Sequence, residues 1–197
     1  MIEKLKTFDF KPTVILAIIV TVTTILLVVM ERSIQVDETV LSGAMKEKCV
    51  ELMGDGEFEV VLDWLEAGYA VQRPHGVAKM IINTDTDIIA FQVITKGYEK
   101  DGLNMLIVMN ADGSVRDLTV YQNSETPQIG TKVNERSFLD NFVGQFGDAR
   151  IVKGATRNDG EVAAITGATK SSKGVADAVN IAINTYAELF LEAGGEA

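Results

Sequence analysis

Residues 103–121 read Leu103-Asn104-Met105-Leu106-Ile107-Val108-Met109-Asn110-Ala111-Asp112-Gly113-Ser114-Val115-Arg116-Asp117-Leu118-Thr119-Val120-Tyr121. Two apolar, β-branched runs, Leu103 to Met109 and Val115 to Tyr121, flank Asn110-Ala111-Asp112-Gly113, whose Asp-Gly pair suits a turn with positive φ. This predicts an antiparallel hairpin. The same texture extends upstream through Phe58 to Leu62, Met80 to Ile82 and Ile88 to Thr95, each run bounded by turn residues. Downstream the period changes. Phe138, Phe142 and Phe146 stand at steps of four and predict a helix over 137–146, while Val175, Val179 and Ile183 with Tyr186 or Phe190 predict one over 172–191. Ahead of the strands, Val36, Val40, Ala44 or Met45, Cys49 and Leu52 or Met53 repeat at a helical period that stops at Gly54-Asp55-Gly56, predicting a helix over 34–53. Strands first and helices after them predict an α+β domain with an antiparallel sheet and flanking helices.

The N-terminal end has a different character. No charged residue occurs from Pro12 to Met30. About 19 helical residues at roughly 1.5 Å each reach roughly 28 Å, close to the thickness of one bilayer core. Lys4, Lys6 and Lys11 precede this run and only Arg32 closely follows it, a bias that keeps the short tail in the cytoplasm. The expected organisation is therefore a cytoplasmic tail over 1–11, a transmembrane helix over 12–31 and one extracytoplasmic domain over 32–197. The competing reading, a cleaved signal peptide, has shorter apolar regions and a small-residue cleavage site, whereas Glu31-Arg32 follows here.

Of the formal charge of −10, the first thirty residues contribute +1, which leaves −11 on the remainder. Such a surface repels nucleic acid and anionic headgroups. The one cysteine, Cys49, excludes an internal disulfide framework and a multi-cysteine metal or iron–sulfur centre supplied by this chain alone; it falls on the apolar stripe of its predicted helix. His75, the one histidine, follows Arg73-Pro74 in a predicted loop, with no second histidine to share a metal.

Two motifs carry chemistry. The first is Thr166-Gly167-Ala168-Thr169-Lys170-Ser171, just before the last predicted helix. Gly167 permits a sharp turn, Ala168 leaves room, and three hydroxyls converge where a helix N-terminus attracts anions. The same cluster also reads as a plain N-cap. No GxxxxGK[ST] spacing occurs here or near Gly154 to Gly160, so a Walker-type nucleotide triphosphatase has no support. The second motif is Glu125-Thr126-Pro127-Gln128-Ile129-Gly130-Thr131-Lys132, directly after a strand. Pro127 restricts itself and Thr126, Gly130 permits close approach of another group, and Thr131 and Lys132 offer a hydroxyl and a cation. It reads equally as a connecting loop.

The pairing of an ETPxxG loop with a [ST]GATx[ST] motif before a C-terminal helix, behind one N-terminal anchor, resembles the FMN-binding domain family. Within it the chain is most similar to the G subunits of Rnf ion-translocating ferredoxin:NAD oxidoreductases, relatives of the C subunits of sodium-pumping NADH:quinone reductases. Gly97-Tyr98, the Asp112-Gly113 hairpin and the Phe138 to Phe146 segment share in the likeness. The resemblance implies FMN joined through a phosphoester to Thr169 by a flavin transferase. It implies that Thr166, Gly167, Ala168, Lys170 and Ser171, with Glu125, Thr126, Gly130, Thr131 and Lys132, surround the cofactor. It also implies an electron-relay role among the other membrane and redox subunits of the complex, with ion translocation left to partners. A membrane-anchored binding or scaffold module without cofactor, and a flavinylated reductase outside that complex, are the other readings of the same residues. Three positions depart from the family pattern: Asn123 replaces a histidine, Gln128-Ile129 replaces Gly-Leu, and Ala163 stands where an acid is common, with Asp159 and Glu161 the nearest acids.

Overall fold

The computed structural model describes residues 10–33, 40–69, 72–100 and 102–192, and residues 1–38 and 39–197 are separate compact units. In the first unit α1 (Phe10–Ser33) is one uninterrupted helix, and its Pro12–Met30 stretch has a mean hydropathy of 2.8, long and apolar enough to cross a membrane. The hydroxyls of Thr21, Thr23 and Thr24 are satisfied by their own helix. Thr21 donates to the Ala17 carbonyl at 2.8 Å, Thr24 to Val20 at 2.8 Å, and Thr23 divides its bond between Ile19 and Val20, both at 2.9 Å.

In the second unit five antiparallel strands lie in chain order: β1 (Phe58–Val61), β2 (Val77–Asn83), β3 (Ile88–Thr95), β4 (Leu103–Met109) and β5 (Val115–Asn123). Successive side chains of a strand face opposite ways, and β4 is apolar on both. Leu103, Met105, Ile107 and Met109 join the core shared with α4 (Thr169–Tyr186), while Leu106 and Val108 join the one shared with α2 (Gly43–Met53). The sheet is therefore sandwiched between helices, and α4 buries Val175, Val179, Ile183 and Tyr186 as its period predicts.

The predicted hairpin forms. Asn110 N–H donates to the Ser114 carbonyl at 2.8 Å, Gly113 takes φ +85°, and the Asp112 carboxylate accepts the Ser114 N–H at 2.8 Å and O–H at 2.6 Å. A register shift between Val108 and Met109 absorbs the extra turn residue.

Three expectations change. Of the helix expected over 34–53, residues 34–39 lie outside the described residues, and α2 begins only at Gly43, where the Ser42 hydroxyl accepts the Met45 N–H at 3.3 Å. The helix expected over 137–146 is shorter: α3 (Arg136–Leu139) tightens into a 3₁₀ turn over Asp140–Phe142 and stops. The cause is a competing partner, because Gly144 N–H donates to the Val115 carbonyl at 2.8 Å and Val115 N–H to Gln145 at 3.0 Å, pulling the chain against the start of β5. Phe138 and Phe142 consequently meet edge to face at 5.4 Å in the core, while Phe146 is 67% exposed. Two short parallel strands, β6 (Arg150–Val152) and β7 (Glu161–Ala163), are too brief to leave a period in the sequence. The last helix starts at Thr169 and passes into a π turn over Ala187–Glu192.

Cys49 is fully buried in α2, and burial pushes its thiol up to about 11. Folded protein at pH 8 should resist alkylation by iodoacetamide that urea-unfolded protein accepts, as read by intact mass. Since the unfolded thiol ionises first, this residue's contribution to stability should decline as pH rises from 9 through 11.

Candidate functional site

The end of β3, the end of β5 and the start of α4 converge. Gly174 of α4 lies so close to the β3–β4 connection that a Cβ there would stand 2.7 Å from both the Lys96 carbonyl and Leu103 Cδ1, and the Thr95 hydroxyl donates to the Gly174 carbonyl at 2.9 Å. This contact sets the N-terminus of α4 beside the loop that carries Tyr98. Between them opens a cleft of about 500 Å³ lined by Tyr98, Thr126, Ile129 and Gly130 on one side and Gly167 to Ser171 on the other.

The α4 side presents unused donors. Its N-cap is Ala168, which has no side-chain hydrogen bond to offer, and Gly167 makes the turn at φ +83°. Ser172 Oγ donates to the Ala168 carbonyl at 3.0 Å and accepts the Ile165 N–H at 3.1 Å; Ser171 Oγ donates to Glu125 Oε2 at 2.5 Å. The hydroxyl cluster therefore does not cap α4. The amide N–H groups of Thr169, Lys170 and Ser171 have no acceptor, and the hydroxyls of Thr166 and Thr169 have no hydrogen-bond partner, among the described residues. Thr169 lines the cleft, and Thr166, next to the lining residue Gly167, is exposed and not part of the lining. Free amides and the positive end of an 18-residue helix make a site for a phosphate.

The opposite side is a compact loop. Asn123 Oδ1 accepts the Glu125 N–H at 2.6 Å, and the Thr126 carbonyl accepts N–H groups from Ile129, Gly130 and Thr131 at 3.3, 2.9 and 3.2 Å. Folding back this tightly puts Gln128 at φ +61°, with its N–H bound to Thr131 Oγ1 at 2.9 Å. The departure from glycine at this position thus falls on a left-handed residue. A left-handed conformation costs a residue with a Cβ about 1–2 kcal/mol, and the extra freedom of unfolded glycine returns about 0.4–1 kcal/mol. Gln128→Gly should stabilise the domain by about 0.5–1 kcal/mol, seen as a raised urea midpoint at unchanged slope.

Tyr98 and Ile129 are 58% and 49% exposed at the mouth, an apolar pair suited to flank a flat ring, and Lys170 Nζ stands 5.1 Å from the Tyr98 ring centroid. Neither was singled out by its residue type. The available signal was the bracketing of Tyr98 by Gly97 and Gly102 in a strand connection.

Of the expected site residues, Thr126, Gly130, Gly167, Ala168, Thr169, Lys170 and Ser171 line the cleft. Glu125 lies behind it, 4% exposed, and Thr131 faces its own loop while Lys132 is exposed outside the lining. Glu161, the acid near Ala163, closes its own loop by accepting the Arg157 and Asn158 N–H groups at 2.7 and 3.2 Å and Asn158 Nδ2 at 2.6 Å. Those bonds, the Arg157 amide first, hold its carboxyl below the usual range. It does not substitute for an acid at Ala163.

Residues 97–184 match the FMN-binding domain family. The chain is 28% identical over 144 residues to the G subunit of the Na(+)-translocating ferredoxin:NAD(+) oxidoreductase complex of Acetobacterium woodii, a match spanning 68% of this chain and 69% of that one. It is also 28% identical over 121 residues to the G subunit of the proton-translocating ferredoxin:NAD(+) oxidoreductase complex of Clostridium ljungdahlii, spanning 61% of this chain and 58% of the relative. Among solved structures, the C subunit of the Na(+)-translocating NADH-quinone reductase of Parabacteroides distasonis superposes with TM-score 0.52 at 21% identity, covering 78% of this chain and 85% of that one. NqrC of Shewanella oneidensis gives 0.50 at 20% identity, with 60% and 61% covered. These structures share the fold. Every residue lining the cleft lies within residues 97–184, the stretch that matches the FMN-binding domain family, in a chain similar to the G subunits of ferredoxin:NAD(+) oxidoreductase complexes.

Proposed function

We propose that this chain is an electron-relay subunit of a membrane-bound, ion-translocating ferredoxin:NAD oxidoreductase of the Rnf type, holding FMN through a phosphoester on Thr169. The observation that carries the reading is the unpartnered Thr169 hydroxyl beside three free amide N–H groups at the start of α4, in a cleft of about 500 Å³, within the usual size of cofactor sites. FMN, when bound, supplies reversible electron carriage. The chain's own residues do the rest. The amides of Thr169 to Ser171 hold the phosphate, Thr169 Oγ is the esterified atom, Tyr98 and Ile129 bracket the ring, and Lys170 offsets negative charge at the mouth.

The apolar helix and the similarity to membrane-complex subunits support a membrane-anchored arrangement. The helix over 12–31 crosses the membrane once, the tail over 1–11 stays cytoplasmic, and residues 32–197 face outward, where a flavin transferase attaches the cofactor: Thr169 Oγ would form the phosphoester as the pyrophosphate bond of a flavin adenine dinucleotide breaks, releasing AMP and the hydroxyl proton. A tether makes sense for a domain that cannot draw on a cytosolic flavin pool. No charge lies between Pro12 and Met30, so the ion path belongs to partner subunits. The chain made with a flavin transferase should fluoresce on a denaturing gel and copurify with the other redox subunits. A dark band from colourless protein would favour a cofactor-free binding module, a dark band from yellow protein non-covalent flavin, and fluorescence without copurification a flavoprotein outside the complex.

A further inference from the structure

Behind the cleft wall, Glu125 makes more connections than any side chain that lines it. Its two carboxylate oxygens accept the Tyr98 N–H at 2.9 and 3.0 Å, Oε1 accepts the Glu99 N–H at 3.2 Å, and Oε2 accepts the Ser171 hydroxyl at 2.5 Å. Its own N–H is held by Asn123 at 2.6 Å. Three separate segments, the Gly97–Glu99 loop, the loop after β5 and the first turn of α4, are thus tied to one buried carboxylate. No lysine or arginine pairs with it among the described residues.

The space around it is cleared by glycine. A Cβ at Gly97, Gly102 or Gly130 would stand 2.2 Å or 2.5 Å from Glu125 Oε1, or 2.7 Å from its Cβ, respectively. Gly130 would also meet Ser171 Oγ at 3.1 Å. A residue that only closed a local turn would not require three glycines from two different loops.

We propose that Glu125 is the positioning residue of the flavin cleft, which sets Tyr98 on one wall and the first turn of α4, with Thr169, on the other at the spacing the cofactor requires. This rests on the reading of the cleft as an FMN site. Glu125 does not contact the flavin. It acts through Ser171 and through the Tyr98 and Glu99 amides, so the role expected of Glu125 and Ser171 as cofactor contacts becomes one of holding the contacts in place.

The test uses the full chain in detergent micelles, as wild type, Glu125→Gln, Ser171→Ala and Ser171→Thr, each made with a flavin transferase. Two readouts are taken: deuterium uptake over 97–100 and 126–131, and covalent flavin per chain by in-gel fluorescence. A hydrogen bond to a charged group accounts for roughly tenfold or more in an equilibrium. Glu125→Gln and Ser171→Ala should each speed exchange in both segments by about tenfold and lower flavin yield, while Ser171→Thr, which keeps the hydroxyl, should retain both. Faster exchange with undiminished flavin in the two variants overturns the proposal, as does unchanged exchange. Should Glu125→Gln fail to fold, the Ser171 pair decides alone, since it removes or restores a single bond. A dark wild type would instead sink the covalent-FMN reading, and is distinguished from a bright wild type whose variants are equally bright.

Discussion

Thr169→Ala is expected to abolish covalently held flavin while leaving the domain's stability within about 0.5 kcal/mol of wild type. Thr169 is the first residue of α4, its hydroxyl has no hydrogen-bond partner among the described residues, and alanine is at least as good a helix former. Nothing that holds the fold is removed, whereas the one cleft-lining hydroxyl at the free amides that is not already engaged, among the described residues, is lost. The gel lane should go dark at unchanged urea midpoint. Thr169→Ser keeps a primary hydroxyl at the same place and should keep part of the fluorescence. Ser171→Ala removes a hydroxyl two residues on but leaves Thr169 Oγ present, so it should lower the yield without reaching zero. Fluorescence that persists in Thr169→Ala would place the ester elsewhere. Thr166, the other unpartnered hydroxyl of the motif, would then be the residue to replace.

Much of the fold was written in short-range pattern. The bounds of β3 and β4 are those expected because a β-branched run ended by a turn residue needs no distant partner to define it. The α4 face was legible for the same reason, since Val175, Val179 and Ile183 repeat at the helical period. Where long-range bonds decide, the pattern misled. Phe138, Phe142 and Phe146 have helical spacing, yet the Gly144–Val115 and Val115–Gln145 bonds end the helix before Phe146. No local property of residues 137–146 encodes that β5 begins beside them.

The site divides in the same way. The motif around Thr169 was visible in its run of hydroxyls and small residues, and the structure brings it against the loop after β5. Which hydroxyl remains available was not legible. Ser171, Ser172, Thr166 and Thr169 are alike in sequence, and only the partners supplied by Glu125, Ile165 and Ala168 separate the engaged pair from the free pair. Tyr98 entered only as part of the family likeness and without a role at the site, because an aromatic beside a glycine in a turn has no period. Its amide is bound by the Glu125 carboxylate, 27 residues away, a contact that no local pattern reveals.

Gly97→Ala should destabilise the domain by disturbing the Glu125 carboxylate. A Cβ there would lie 2.2 Å from Glu125 Oε1 and 2.7 Å from Cδ, and Gly97 does not need a left-handed backbone, so the effect is steric alone. The carboxylate has little room to retreat, because Gly102 and Gly130 bound it on its other sides. Displacing it lengthens the bonds to the Tyr98 and Glu99 amides and to Ser171 together. Overpacking costs about 1–3 kcal/mol, and buried donors left unpaired cost about 1–3 kcal/mol more, so a loss of about 2–5 kcal/mol is expected. Against the roughly 5–15 kcal/mol that holds a domain together, this should lower the urea midpoint markedly and reduce flavin yield in parallel. Gly43→Ala is the control: a Cβ there meets nothing within 4 Å, and the site is the first residue of α2, so its midpoint should stay at or slightly above wild type. If Gly97→Ala matched Gly43→Ala, the carboxylate would have to relax freely, and the glycine shell around Glu125 would be incidental to both fold and cofactor.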